Sequence, residues 1–290
     1  MKLTDKQQNA RAKAAGGYVT FDGTPNNTHA RLFYSKSASK EMQRFIGQLN
    51  KELDLAKTPT EIREVFDRFN NYGIKTLEVN AEKITEKWMK LSTRESRGAF
   101  SKAMAAALGA SPITISYGKR PYNNLLKMAI QRNVSLITNV GRQTLTNLET
   151  VIYDAVINGQ GQKVIQDYLK EQTDIATRRI KFIARDQTAK TMESLNKLSQ
   201  EASGVRFFEW DTAKDERVST GKGGHKQLDG KIYAWNEPNN LPIIDAEGNR
   251  GKPGDRPNCR CTSLSVILKK DYEAIQNPDG SYRIKKGRYF

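Results

Sequence analysis

Apolar residues recur every three or four positions along most of the chain, and only the last third switches to a period of two. Met42, Phe45, Ile46, Leu49 and Leu53 predict a helix over 37–57. Thr58-Pro59-Thr60-Glu61 then reads as a helix start, with Thr58 as N-cap, Pro59 at the first helical position and Glu61 closing a capping box. Ile62, Val65, Phe66 and Phe69 form its stripe, and Asn71-Tyr72-Gly73 is read as its end. A further helix is expected over 74–91, with Leu77, Ile84 and Trp88 inward, and an Ala-rich one over 99–108, closed by Gly109.

Ser111 to Pro121 breaks this period, and its alternating apolar residues suit either a core segment or a docking segment. From Asn123 to Asn158 the helical signal is strongest. Val134, Ile137, Gly141, Leu145, Leu148, Ile152 and Ala155 follow coiled-coil spacing, for a length of about 50 Å at about 1.5 Å per residue. Gly141 on that seam permits close helix approach or a kink. A short helix around Val164–Leu169 is expected next. Thr173-Asp174 is then read as the cap of another over 175–201, with Ile180, Ile183, Ala184, Thr191, Leu195 and Leu198 inward. Beyond Gly204 the period is two: short strands are expected over 205–210 and 231–235, and one over 259–268, where Leu264, Val266 and Leu268 share a face.

These elements define the expected fold class: mainly α, a helical bundle with one long helix, followed by a small α+β C-terminal module containing a short antiparallel sheet. The expected divisions are a flexible basic arm (1–35), in which Val19 and Phe21 suit a short strand, an N-terminal helical region (36–120), a long-helix core (121–203), a β-rich Cys/His module (204–268) and a basic aromatic tail (269–290) with a turn at Asn277-Pro278-Asp279-Gly280.

Composition changes this picture in one respect. Of 290 residues, 48 are Lys or Arg and 32 Asp or Glu, a net charge of +16, which argues for an acidic partner rather than for a fold. Arg178, Arg179 and Arg185 on the last long helix, and Lys269, Lys270, Lys285, Lys286 and Arg288 in the tail, are the candidate nucleic-acid contacts. A solvated basic face is the alternative. No apolar run approaches the roughly 18 residues of a membrane span, the first residues lack a secretory h-region, and two cysteines at i and i+2 make a poor disulfide, so the thiols are expected reduced and the chain intracellular.

The stretch from Trp210 to Cys261 holds one of the two histidines, His225, and both cysteines, Cys259 and Cys261. Two thiolates projecting the same way and one imidazole make three ligands of the kind a structural Zn²⁺ takes, with Asp215, Asp229 or water as a fourth. The alternative is a pair of thiols packing a small sheet, with His225 hydrogen-bonded in a turn. A Cys nucleophile lacks an oxyanion loop or elbow here. A Mg²⁺ nuclease built on His225, Asp215 and Asp229 is a further reading. No P-loop, dinucleotide fingerprint or other cofactor motif occurs.

The order of motifs is more specific than any one of them. Ala184-Arg185-Asp186-Gln187-Thr188, Trp210, Asp215-Glu216-Arg217-Val218, His225, Leu228-Asp229-Gly230, Pro253-Gly254 and Asn258-Cys259-Arg260-Cys261 occur in series. This series, within residues 133–267, resembles the phage Mu protein F-like head morphogenesis family of minor capsid proteins. Two departures stand out: Asp186-Gln187 where Thr-Glu is frequent, and an Arg217–His225 interval lengthened by Gly221-Lys222-Gly223-Gly224. The resemblance implies a non-enzymatic virion role. The expected protein is a low-copy head component at the portal vertex, assembled in the host cytoplasm, with the portal protein, packaged phage DNA and the major capsid protein as partners and no membrane. Its rivals are a DNA-acting, nuclease-like or toxin-like effector carried in the head, and a zinc-stabilised DNA-binding protein. A host DNA-binding protein of helix-turn-helix type has no visible reader motif.

Overall fold

The computed structural model describes residues 16–25, 29–56, 58–160 and 162–287. Five α-helices and six strands follow in the order β1 (Tyr18–Phe21), α1 (His29–Leu55), α2 (Pro59–Arg68), α3 (Ile74–Leu108), α4 (Lys119–Ile157), α5 (Gln162–Ala202), β2 (Phe207–Asp211), β3 (Ile232–Ala234), β4 (Thr262–Leu268), β5 (Tyr272–Gln276) and β6 (Tyr282–Lys286). The fold class is the expected one: long helices and a small antiparallel sheet.

The compact units do not follow the consecutive division expected from the sequence. One unit gathers residues 27–91 and 124–188. The other gathers 1–26, 92–123 and 189–290, so α3, α4 and α5 contribute residues to both. Burial groups side chains by contact, and long helices let sequence-distant segments share a core.

In the helical unit, α1 buries Tyr34, Met42, Phe45, Ile46 and Leu49. Tyr34 stacks on Trp88 with centroids 4.7 Å apart and donates to Asn133 Oδ1 at 2.7 Å, so the buried phenol is satisfied. The capping box at Thr58 forms as expected: Glu61 N–H donates to the Thr58 hydroxyl and Thr58 N–H to the Glu61 carboxylate, 3.2 Å each. The helix expected to stop at Gly73 does not. A π-turn over Phe69–Gly73 carries the chain directly into α3, with Ile74 N–H bonded to Phe69 O. The turn takes glycine at Gly73 because a Cβ there would come 2.9 Å from the Phe69 ring, itself packed edge-on to Phe45 at 5.6 Å. On α4 a Cβ at Gly141 would lie 2.5 Å from Leu77 Cδ2, so this glycine serves close helix approach.

Two further helix boundaries read from the sequence are absent. Residues 74–108 form one helix rather than two, and 162–202 form one helix in which Thr173 is not a cap. The Thr173 hydroxyl donates to Leu169 O at 2.7 Å, the back-bond of a mid-helix threonine.

In the second unit the sheet order is β1-β4-β2-β3-β6-β5, antiparallel throughout. The strand Tyr18–Phe21 lies in what was expected to be a flexible arm, pairing Val19 with Ile267 and Phe21 with Ser265. Helix α1 likewise begins at His29, inside the same expected arm. The basic residues of 1–15 lie outside the described residues. Within the tail expected over 269–290, the described residues form the β5–β6 hairpin, turned at Asn277 and Gly280 and joined to β3 through Ile232 and Tyr282. Its aromatics explain the difference: Tyr282 packs on Phe207 with ring centroids 5.1 Å apart, and Ala274 and Ile284 extend the same cluster. The segment between α3 and α4 has no regular structure but takes the core option, burying Ile115 and Tyr117.

Residues 189–202 of α5 lie against this sheet through a polar stripe. Glu193, Asn196 and Gln200 are all buried, and all three bond to Ser263 of β4. Gln200 Oε1 also accepts from Trp235 Nε1 at 2.8 Å, and Ser199 bonds the Tyr117 hydroxyl at 2.9 Å. The spacing of three and four puts these polar groups on one helix face, where each finds a backbone or side-chain partner on the sheet unit.

Candidate metal centre

The loop-rich stretch between β2 and β4 is held by an aromatic centre. Phe208 and Trp235 stack at 3.9 Å, and Trp210, Leu228, Tyr233, Ile244, Cys259 and Cys261 complete the cluster. The Leu228-Asp229-Gly230 motif has a local task within it. Leu228 is buried; the Asp229 carboxylate accepts from Thr212 N–H and its hydroxyl, both at 2.9 Å; and Gly230, at φ 76°, turns the chain so that its N–H reaches Trp210 O.

His225 opens a single 3-10 turn, His225–Leu228. Ser219 positions it: the hydroxyl accepts His225 N–H and the carbonyl accepts Lys226 N–H, both at 3.0 Å. The glycines before it have no room for a side chain. A Cβ at Gly223, where φ is 68°, would sit 2.2 Å from Asp245 O, and one at Gly224 would sit 2.5 Å from the Thr220 carbonyl carbon. The lengthened glycine-bearing interval is therefore the device that seats His225.

From the other side come the cysteines. The chain reaches Cys259 through Asn258 in the left-handed region, φ 58°. β4 starts at Thr262, so the two cysteines sit in the turn before the strand rather than on it as expected. They nevertheless converge: His225 Nδ1 is 3.5 Å from Cys259 Sγ and 3.5 Å from Cys261 Sγ. The three ligand atoms lie within 4.8 Å of one another. All three residues are buried, and Trp210 meets the imidazole edge to face at 5.2 Å. Gly254 N–H points at Cys259 Sγ, 3.4 Å away. The Cys259 thiol is drawn far down because the Cys261 thiol, then His225 and the Gly254 amide, bond to its sulfur. Cys261, bonded to that sulfur and buried beside its charge, is pushed up.

The carboxylates named as a fourth ligand or as nuclease groups are engaged elsewhere. Asp215 receives two hydrogen bonds from Arg260, at 2.5 and 2.6 Å, and two from Arg217, through its guanidinium and its backbone N–H, both at 3.1 Å. These hold its carboxyl well below the usual carboxylate range. Asp229 is committed to Thr212. Among the described residues, His225, Cys259 and Cys261 are the group with metal-ligand geometry. They face a pocket of about 250 Å³ walled also by Arg217, Arg256 and Arg260. Sequence reasoning did not find this arginine wall, which joins Arg217 of the Asp215–Val218 turn to Arg256 and Arg260 of the cysteine segment, nor the stripe of Glu193, Asn196 and Gln200.

The candidate nucleic-acid contacts divide between the units. Arg178, Arg179 and Arg185 are exposed on the part of α5 in the helical unit, with Arg185 over the Phe182 ring at 5.5 Å. In the sheet unit Lys269, Lys270, Lys285 and Lys286 are exposed. The pairing of Tyr272 with Lys286 brings Lys269, Lys270 and Lys286 to one end of the β5–β6 hairpin. Arg288 lies outside the described residues.

Residues 146–264 match the family described as phage Mu protein F like protein. A stretch of 154 residues is 27% identical to a Haemophilus influenzae protein described as an uncharacterized protein, covering 53% of this chain and 32% of that one. The match thus spans about a third of that relative's length. No solved structure matches.

Proposed function

Taking residues 146–264 as a phage Mu protein F-like domain, we propose that the protein is a phage head morphogenesis protein, a minor capsid component that associates with the portal vertex and touches packaged DNA. The family match carries this reading. It covers the motif series from Ala184 in α5 to Cys261 before β4, and Leu228, Asp229, Gly230 and His225 of that series each have a structural task in the sheet unit.

Two observations support the finer parts. The net charge of +16 suits a surface facing phosphates. The lysines gathered at the β5–β6 hairpin end supply such a surface without any base-reading element. The helical unit supplies long exposed helix faces for portal contact, and no helix among the described residues is long and apolar enough to cross a membrane.

The test has two arms. Affinity for duplex DNA of unrelated sequences should fall steeply with salt, with a log–log slope of about −0.9 for each phosphate contacted. Reversing Lys269, Lys270 and Lys286 to Glu should flatten that slope. A salt-independent affinity removes the DNA part. Co-expression with the portal protein of the same phage should yield a complex that survives loss of residues 269–287. Failure to co-purify removes the portal part.

A further inference from the structure

We propose that His225, Cys259 and Cys261 bind one zinc ion, through His225 Nδ1 and the two thiolates, and leave its fourth position open to the arginine-walled pocket. This site stands independently of the head-assembly reading.

The distances carry the inference. A tetrahedral zinc with Zn–S near 2.3 Å and Zn–N near 2.0–2.1 Å places nitrogen and sulfur about 3.5 Å apart. Both sulfurs lie 3.5 Å from Nδ1, and all three ligand atoms lie within 4.8 Å of one another. A disulfide does not compete, since the i and i+2 spacing closes a strained ring, and both cysteines are free. Thiolate and imidazole together select zinc over the hard cations magnesium and calcium.

The surroundings are those of a ligand set held in advance. Gly223 and Gly224 admit no side chain, so the loop closes tightly and delivers His225. The left-handed Asn258 aims Cys259, and the Gly254 amide lies 3.4 Å from its sulfur, the outer-shell contact that orients a metal thiolate. Trp210 packs against the imidazole ring. None of these features is needed merely to bury two thiols.

The open position follows from what the nearby carboxylates do. Asp215 is closed in the Arg260 and Arg217 guanidinium bonds, and Asp229 caps Thr212. The cluster instead borders the pocket of about 250 Å³, so solvent supplies the fourth ligand and a small nitrogen or anionic ligand can replace it. Binding expels the thiol protons, and affinity falls as pH drops.

The experiment uses the full chain purified without chelator. Elemental analysis should return zinc at near-unit stoichiometry. Cobalt replacing it should show tetrahedral d–d bands with thiolate-to-cobalt charge transfer, and added imidazole or azide should shift those bands. Cys259→Ser and Cys261→Ser should each lose the metal. Cys261→His, which restores a zinc ligand, should keep it with weaker charge transfer and so separates lost ligation from lost folding. Absence of metal after zinc supplementation, or a Cys→Ser variant that keeps full occupancy, overturns the site. Cobalt bands indifferent to imidazole and azide overturn the open position.

Discussion

Arg260 grips Asp215 through two parallel hydrogen bonds of 2.5 and 2.6 Å, joining the Asp215–Val218 turn to the turn that carries both cysteines. The clamp crosses 45 residues of sequence, and its Arg260 lines the cysteine pocket. Asp215→Asn keeps the shape but removes the charge that doubles such bonds in strength. We expect faster proteolysis within 211–224 and unchanged cleavage in the helical unit, read by mass spectrometry of the fragments. Because the folded Asp215 carboxyl ionises well below its ordinary value, its contribution is full above the usual carboxylate range. It is lost only as pH falls toward the folded value.

Glu193 behaves in the opposite sense. Burial, aided by Asp22, raises its carboxyl from 4.5 to about 8, against the hydrogen bonds from Ser263 and the attraction of Lys252. The folded chain then keeps a proton that the unfolded chain has released. Stability should therefore decline as pH rises from 4.5 to about 8, by at most about 1.4 kcal/mol per pH unit, and level off above. Urea denaturation of chelator-treated protein across this window should show the slope, and Glu193→Gln should flatten it. A variant with the same slope as the parent would sink the assignment.

Gly223→Ala should harm the site more than the helices. The new Cβ meets Asp245 O at 2.2 Å from a backbone at φ 68°. We expect a loss of about 1–3 kcal/mol together with weaker cobalt binding. Thermal melts paired with cobalt titration check both.

Gly141→Leu tests the helical unit in the same way. Its first carbon already falls 2.5 Å from Leu77 Cδ2, inside a packed seam. Overpacking should cost about 1–3 kcal/mol, measured by chemical denaturation, without altering cobalt spectra.

At the surface, Thr58→Ala removes the hydroxyl that accepts Glu61 N–H. A loss of about 1 kcal/mol is expected. Amide exchange should accelerate first at Glu61 and Ile62.

Local signals in this chain were legible wherever the physics is local. The capping box at Thr58, the stripe of α4 and the period-two run of β4 depend on neighbours within a turn or a strand, so residue order alone determines them. The motif series that identifies the domain is equally a property of order. Helix ends were less legible. Gly73 and Thr173 carry stop or start chemistry, yet a π-turn carries the chain through Gly73 into the next helix, and Thr173 lies inside a helix with its hydroxyl on Leu169 O. Tyr18–Phe21 of the arm and Tyr272–Gln276 and Tyr282–Lys286 of the tail region are paired strands because a β-ladder is formed by partners: Val19 needs Ile267, and Tyr282 needs Ile232 and Phe207. Residue types named His225, Cys259 and Cys261 as a set. Only the tertiary structure decided that 3.5 Å separates Nδ1 from each sulfur, that Asp215 belongs to Arg260, and that Glu193, Asn196 and Gln200 are interior. Those outcomes depend on turns converging from distant parts of the chain, and a polar side chain is interior or exposed according to what the rest of the fold brings against it.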